Sequence, residues 1–218
     1  MLEEKLKQKF LRCRPATHLD QADESQLKKD LNRYVRLAKA LSADDAVVVD
    51  RADLLMDLRV TLKCRVPLCR YYDTCSNCPP HTGSFDENQA VVKKYKKGIL
   101  LRWAFPREEM LDPSSNIRRS VFEYISIIES AAFYDGYYLA CGFATGSCRH
   151  LCNNKECRLL QQPELGCRYP LLARPSMEAM GFDVYGMAAK AGWEIFPAGK
   201  DCPEQIHSLN RIGLVLIN

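Results

Sequence analysis

The sequence predicts an α+β (or α/β) fold: a mixed sheet of about four strands packed with two long helices, from which two cysteine-rich ligand loops emerge. Three observations carry this expectation. Short apolar, β-branched or aromatic runs recur near residues 46, 99, 137 and 212. Two longer stretches repeat apolar side chains every three and four residues, the spacing that lines one face of a helix. Most of the eleven cysteines fall in two polar segments with almost no apolar periodicity, which cannot fold by burying themselves.

The elements follow in order. Leu27, Leu31, Tyr34, Val35, Ala38 and Leu41 form a helical stripe that Asp23 or Ser25 can cap. The run from Ala46 to Asp50 reads as a short buried strand, and Leu54, Leu55, Leu58 and Val60 continue the core. GILLRWAF, Gly98 to Phe105, is a second strand. Ser114 or Ser115 opens a helix to Tyr134, with Ile117, Val121, Tyr124, Ile125, Ile128 and Ala132 on one side and Gly136 as its stop. Tyr137 to Gly146 reads as a third strand that delivers the chain into a cysteine loop. In RPSMEAMG, Ser176 caps a short helix that Gly181 ends, and Asp183 caps another that Gly192 ends. This pair is placed to close over the preceding loop and to bring Arg168 and Arg174 back towards it. Glu194 to Pro197 suggests a short strand, and Ile212 to Ile217 a terminal one.

At 218 residues and 47% hydrophobic composition, the chain suits a single metal- or iron–sulfur-binding domain over 1–218, with 1–22 as a peripheral extension. A net charge of +4, with bases and acids interspersed, gives no argument for nucleic acid. No apolar run approaches the ~18 residues of a membrane span. The first residues resemble neither a secretory signal nor a transit peptide, so a cytoplasmic protein is expected. An odd number of cysteines in such a compartment argues for ligands rather than disulfides.

The first cysteine loop, KCRVPLCRYYDTCSNCPPHTGSF, carries Cys64, Cys69, Cys75 and Cys78 at spacings x4, x5 and x2. Pro67, Pro79 and Pro80 forbid helix through most of it and fix an extended, turning backbone. The second carries Cys148, Cys152, Cys157 and Cys167 at spacings x3, x4 and x9. Metal ligation would supply the folding free energy that packing cannot. Structural zinc usually takes paired knuckles of short, regular spacing, whereas iron–sulfur clusters accept wider and unequal ones. One or two clusters per chain, of [4Fe-4S] type, are therefore expected, with zinc as the alternative. At the first loop His81 can complete a Cys3His zinc site. Cys141 reads as a small hydrophobe within a strand. Cys13 and Cys202 stand alone.

No Ser/His/Asp set, carboxylate pair or nucleotide loop is visible, and the only histidines are His18, His81, His150 and His207. Electron transfer beside a redox protein or enzyme partner is the leading reading. An enzyme or activase with an open-coordination cluster is a second, and a zinc-stabilised interaction module a third.

KCRVPLC, CPPH, GSCRHLC and CRYPLLARPSMEAMGFDVYGMAAKAGW together resemble a family of predicted metal-binding proteins of unknown function, found mostly in anaerobic bacteria and archaea. The resemblance spans about residues 45–195, and RPSMEAMG is its most specific part. It implies metal or iron–sulfur binding by Cys64, Cys69 and Cys78 in the first motif and by Cys148, Cys152, Cys157 and Cys167 in the second. Cys75 is less typical of the first motif. Without it, that site has three thiolates and an open iron corner.

Overall fold

The computed structural model describes residues 11–16, 23–112, 116–197 and 206–218. Asp23 accepts from the Ser25 amide at 2.9 Å and starts α1, Glu24–Ala40, whose Leu27, Leu31, Tyr34, Leu37 and Ala38 are buried. There follow β1 (Asp45–Asp50), α2 (Leu58–Leu62), α3 (Phe85–Val92), β2 (Lys97–Pro106) and α4 (Arg107–Leu111). The second half supplies α5 (Ile117–Tyr134), β3 (Cys141–Phe143), α6 (Arg158–Gln161), α7 (Met177–Met180), α8 (Val184–Lys190) and β4 (Ser208–Leu216).

The four strands form one sheet in the order β1-β2-β4-β3. Every ladder is antiparallel, so α+β holds and the α/β alternative drops out. The parallel pairing anticipated in a mixed sheet is reduced, among the described residues, to an isolated bridge between Ala144 and Ser176.

Alternation along β2 and β4 builds two cores. Ile99, Leu101, Trp103, Val215 and Ile217 face α1 and α5, and Leu100, Ile212, Leu214 and Leu216 face Met177, Phe182, Val184, Met187 and Trp193. The result is a three-layer arrangement with the long helices on one side and the short ones on the other. Gly142 and Gly213 allow α5 to approach the sheet closely, since a Cβ on either would lie 2.7 or 2.6 Å from Ile125.

Several expected boundaries shift. β1 is an edge strand paired only with β2, so Val48 is 38% exposed and the run is half-buried rather than buried. Leu58 is likewise exposed. Asn116 precedes α5, and Ser114 and Ser115 lie outside the described residues. The strand expected from Tyr137 to Gly146 contracts to three residues: Gly136 takes a left-handed φ of 95°, and the Ala140 amide closes a turn on the Tyr137 carbonyl at 2.8 Å. Glu194 to Pro197 is irregular, and Trp193 before it donates to Asp45 at 2.9 Å and seals the second core. The caps by Ser176 and Asp183 and the left-handed Gly181 and Gly192 stand where the sequence puts them.

Candidate metal centre

The first cysteine loop leaves α2, which Asp57 caps, as a succession of turns instead of a regular element. Amides of Cys69, Cys78 and His81 close these turns on the carbonyls of Cys64, Cys75 and Cys78 at 3.1, 3.1 and 3.0 Å. The second loop leaves β3 through Gly146. Ser147 then accepts from the Arg149 amide and starts a single 3-10 turn over Cys148–Cys152, which Asn153 ends in the left-handed region.

Between Cys157 and Cys167 the backbone is held by arginines. Arg158 donates to the carbonyls of Gly166 and Cys167 at 2.9 and 3.0 Å, and Arg168 donates back to the carbonyl of Glu156 at 2.6 Å. Each guanidinium sits beside one cysteine and ties down the segment of the other, which fixes the pair side by side without a core. Arg174 is spent on Glu129 at 2.7 Å and on backbone carbonyls.

The eight expected ligands line two cavities, and not in the groups their spacing suggests. Cys148, Cys152, Cys157 and Cys167 border one of about 20 Å³, roughly the size of a water, and Cys75 joins them there. Cys64, Cys69 and Cys78 border the other, of about 220 Å³, together with Tyr72, Glu178 and Arg211. Cys75 and Cys78 thus border different cavities, although their sulfurs stay within hydrogen-bond reach of each other. Ser147 lies beside both. Its hydroxyl lies 3.5 Å from the sulfurs of both Cys75 and Cys78. Cys148 donates to Cys75 at 3.7 Å, and Asn77 donates to Cys148 at 3.5 Å. α7 borders the larger cavity through its cap Ser176 and through Glu178 and Ala179, so this helix closes on the first loop rather than on the second, while α8 lines neither cavity.

Cys75, Cys78 and Cys148 are all buried, at 0%, 8% and 7% exposure. The Cys148 thiol, then Cys78, stabilises negative charge on Cys75 and holds its pKa well below that of an ordinary thiol. The charge on Cys75, then burial, pushes Cys78 and Cys148 up. Burial also raises Cys64, helped by neighbouring Cys69. His150 is pushed down to about 4, first by burial and then by Arg118, Arg211 and Arg70, so its ring is neutral at pH 7; its Nε2 is 3.3 Å from the Tyr71 hydroxyl. His81 Nε2 is 2.8 Å from Asp73, and His81 lines neither cavity. Among the described residues, no three Cys, His, Asp or Glu side chains converge closely enough to hold a single ion.

Cys141 lies partly buried in β3, with a pKa raised to about 11 chiefly by burial, and it packs in the second core. Cys13 is exposed, and Cys202 lies outside the described residues. Grouped buried thiols that contact mainly one another, a hydroxyl and an amide are soft donors that suit an iron–sulfur cluster or zinc. Sequence reasoning missed Ser147, Asn77, Arg158, Glu178 and Arg211. Ser147, Asn77 and Arg158 carried a positional hint, each adjacent to a loop cysteine, whereas Glu178 and Arg211 lie far from any in sequence.

A family model described as "Predicted metal-binding protein (DUF2284)" matches residues 47–217. No curated protein and no solved structure matches the chain.

Proposed function

The chain belongs to the family of predicted metal-binding proteins, and from that premise we propose that it is an iron–sulfur protein that passes electrons as a cytoplasmic redox subunit or partner of an anaerobic enzyme. In this reading Cys148, Cys152, Cys157 and Cys167 hold one [4Fe-4S] cluster, and Cys64, Cys69 and Cys78 hold another. The observation that carries it is the meeting of thiols from both loops at Ser147, with Cys75 and Cys148 sulfurs 3.7 Å apart. Electron exchange falls steeply with distance, so two sites in such close contact are suited to exchange electrons.

When bound, such clusters supply one-electron chemistry. The chain's own part is to hold and tune them. Asn77 donates to Cys148 and the Tyr169 amide to Cys167, and hydrogen bonds to ligand sulfur favour the more negative, reduced form. The thiols surround each cavity without converging on one point, which suits clusters, whose irons take thiolates at separate corners; the Cys148 cavity, about the size of a water, has to widen by outward movement of its thiols to take one.

Zinc is a second reading, favoured by one distance. Two thiolates on a tetrahedral ion with bonds of about 2.3 Å stand about 3.8 Å apart, close to the Cys75–Cys148 separation. Elemental analysis separates the two. Anaerobically purified protein is expected to be brown, with about four to eight iron and as many acid-labile sulfides per chain; stoichiometric zinc without sulfide overturns the cluster assignment. The larger cavity, bordered by three thiols rather than four, further suggests a site where a small molecule approaches the metal.

A further inference from the structure

We propose that the 220 Å³ cavity bordered by Cys64, Cys69 and Cys78 binds a small oxyanion, an organic carboxylate or an inorganic one, through Arg211, with Glu178 on the same cavity wall selecting against higher negative charge. The inference rests on the reading that these three thiols hold metal.

Arg211 is the reason. It extends from β4 opposite Trp103 into the cavity, and its contacts are the Thr145 hydroxyl at 3.5 Å and the Met110 sulfur at 3.3 Å, neither of which carries charge. Burial and then neighbouring Arg118 push its pKa down, the response of a cation without a full counter-charge. Arg118 turns its guanidinium to the carbonyls of Met110 and Asp112, while His150 is neutral. A partly buried guanidinium so placed costs stability unless an anion meets it. Its planar fork matches the two oxygens of a carboxylate or similar oxyanion.

The Glu178 carboxylate, which lines the same space, makes no hydrogen bond or ion pair with Arg211 or with any other described residue, although it lies near enough to act on Arg211 electrostatically. A carboxylate there repels a second negative charge and accepts from a ligand donor. The volume is below the ~300 Å³ at which pockets for larger organic ligands begin, so the ligand has few heavy atoms. Cys75 faces the other cavity, leaving a coordination place that the three thiols do not fill. An oxyanion held by Arg211 would thus lie beside the metal.

The test uses the full chain, reconstituted anaerobically with iron and sulfide, as wild type, Arg211→Gln, Arg211→Lys and Glu178→Gln. Sodium acetate, sodium sulfite and uncharged acetamide are titrated by calorimetry, and iron and sulfide are assayed on every sample. Acetate or sulfite is expected to bind wild type while acetamide does not. Arg211→Gln is expected to weaken binding by about ten-fold or more, as loss of a charge-assisted hydrogen bond does, with iron content unchanged. Arg211→Lys should fall between, and Glu178→Gln should bind at least as tightly as wild type. Binding of acetate assigns an organic carboxylate, and binding of sulfite alone an inorganic oxyanion.

Absence of anion binding by wild type, or equal binding by Arg211→Gln, overturns the proposal. So does loss of iron from Arg211→Gln, which would make Arg211 a counter-charge to the cluster, or from Glu178→Gln, which would make Glu178 a ligand. If Arg211→Gln does not fold, wild-type affinity in Arg211→Lys is the overturning result. Wild type without iron and sulfide sinks the iron–sulfur reading instead, and the assay reports that independently of anion binding.

Discussion

Arg158 and Arg168 hold the backbone around Cys157 and Cys167 by donating across the loop to each other's segment. This is work that apolar packing does elsewhere in the chain. Arg158→Ala leaves two loop carbonyls without their charged donor, and each such bond is worth ~1.5–3 kcal/mol. Iron at the Cys148 site is expected to fall although no ligand has changed, and Arg158→Lys, which lacks the fork, should restore it only in part. Serine at Cys148, Cys152, Cys157 or Cys167 should likewise remove one cluster, while serine at Cys13 or Cys141 should leave iron and sulfide content untouched. Cys75→Ser tests the division of the first loop: retention of full iron is expected, and loss would make Cys75 a ligand. The eight thiols themselves were legible because loops without apolar periodicity stand out. Their grouping was not. An x2 spacing suggests two ligands for one site, but Cys75 and Cys78 border different cavities while both sulfurs stay 3.5 Å from the Ser147 hydroxyl.

The elements read most directly from sequence are those whose periodicity survives burial on both faces of the sheet. β2 and β4 alternate between the two cores, and α1 and α5 bury the stripes their sequences show. β3 was overestimated because Tyr137 to Ala140 has strand-like composition but follows the left-handed Gly136 into a turn. The caps of the short helices were legible because capping is local chemistry. Ser176 accepts from the Ala179 amide at 3.1 Å, so Ser176→Ala is expected to cost ~1 kcal/mol in denaturant unfolding. Gly181 is more constrained. Its φ is +94° and a Cβ would lie 2.7 Å from the Phe85 ring, so Gly181→Ala should cost ~1–3 kcal/mol and shift α7 against the first loop. Equal stability of that variant and wild type would show that Phe85 gives way.

Across the whole molecule, the long helices and the residues flanking them are joined by a buried polar network. Tyr34 donates to Asp135 at 2.6 Å and Tyr137 to Asp30 at 3.0 Å, while Arg14 and Arg33 pair with Asp30 and Asp135. Burial pushes Asp30 up, but hydrogen bonds from Arg14, Gln26 and Tyr137 outweigh it, and its pKa lies below the ordinary 3.8. A depressed carboxylate contributes stability above its unfolded pKa and loses it as pH falls through the folded one. Burial raises Tyr34 and Tyr137 above the ordinary 10.0, so their contribution is present below pH 10 and is lost above it. Melting temperature should therefore fall below about pH 4 and again above about pH 10. Asp30→Asn should flatten the acid limb.

That network and α1 lie largely outside the stretch by which the family is recognised. The match begins at residue 47, yet Leu31, Tyr34, Leu37 and Ala38 cover the same sheet face as Ile99, Leu101 and Trp103. The stretch that is recognisable in sequence thus omits part of what covers that sheet face. A fragment trimmed to 47–217 would present one bare apolar side of its sheet to solvent and leave Asp135 without Tyr34 and Arg33. It is expected to accumulate as insoluble aggregate under conditions where the full chain stays in solution, and adding back residues 23–46 should recover most of the soluble yield. A well-behaved, cooperatively melting 47–217 fragment would show that α1 is an ornament on the sheet rather than half of its shelter.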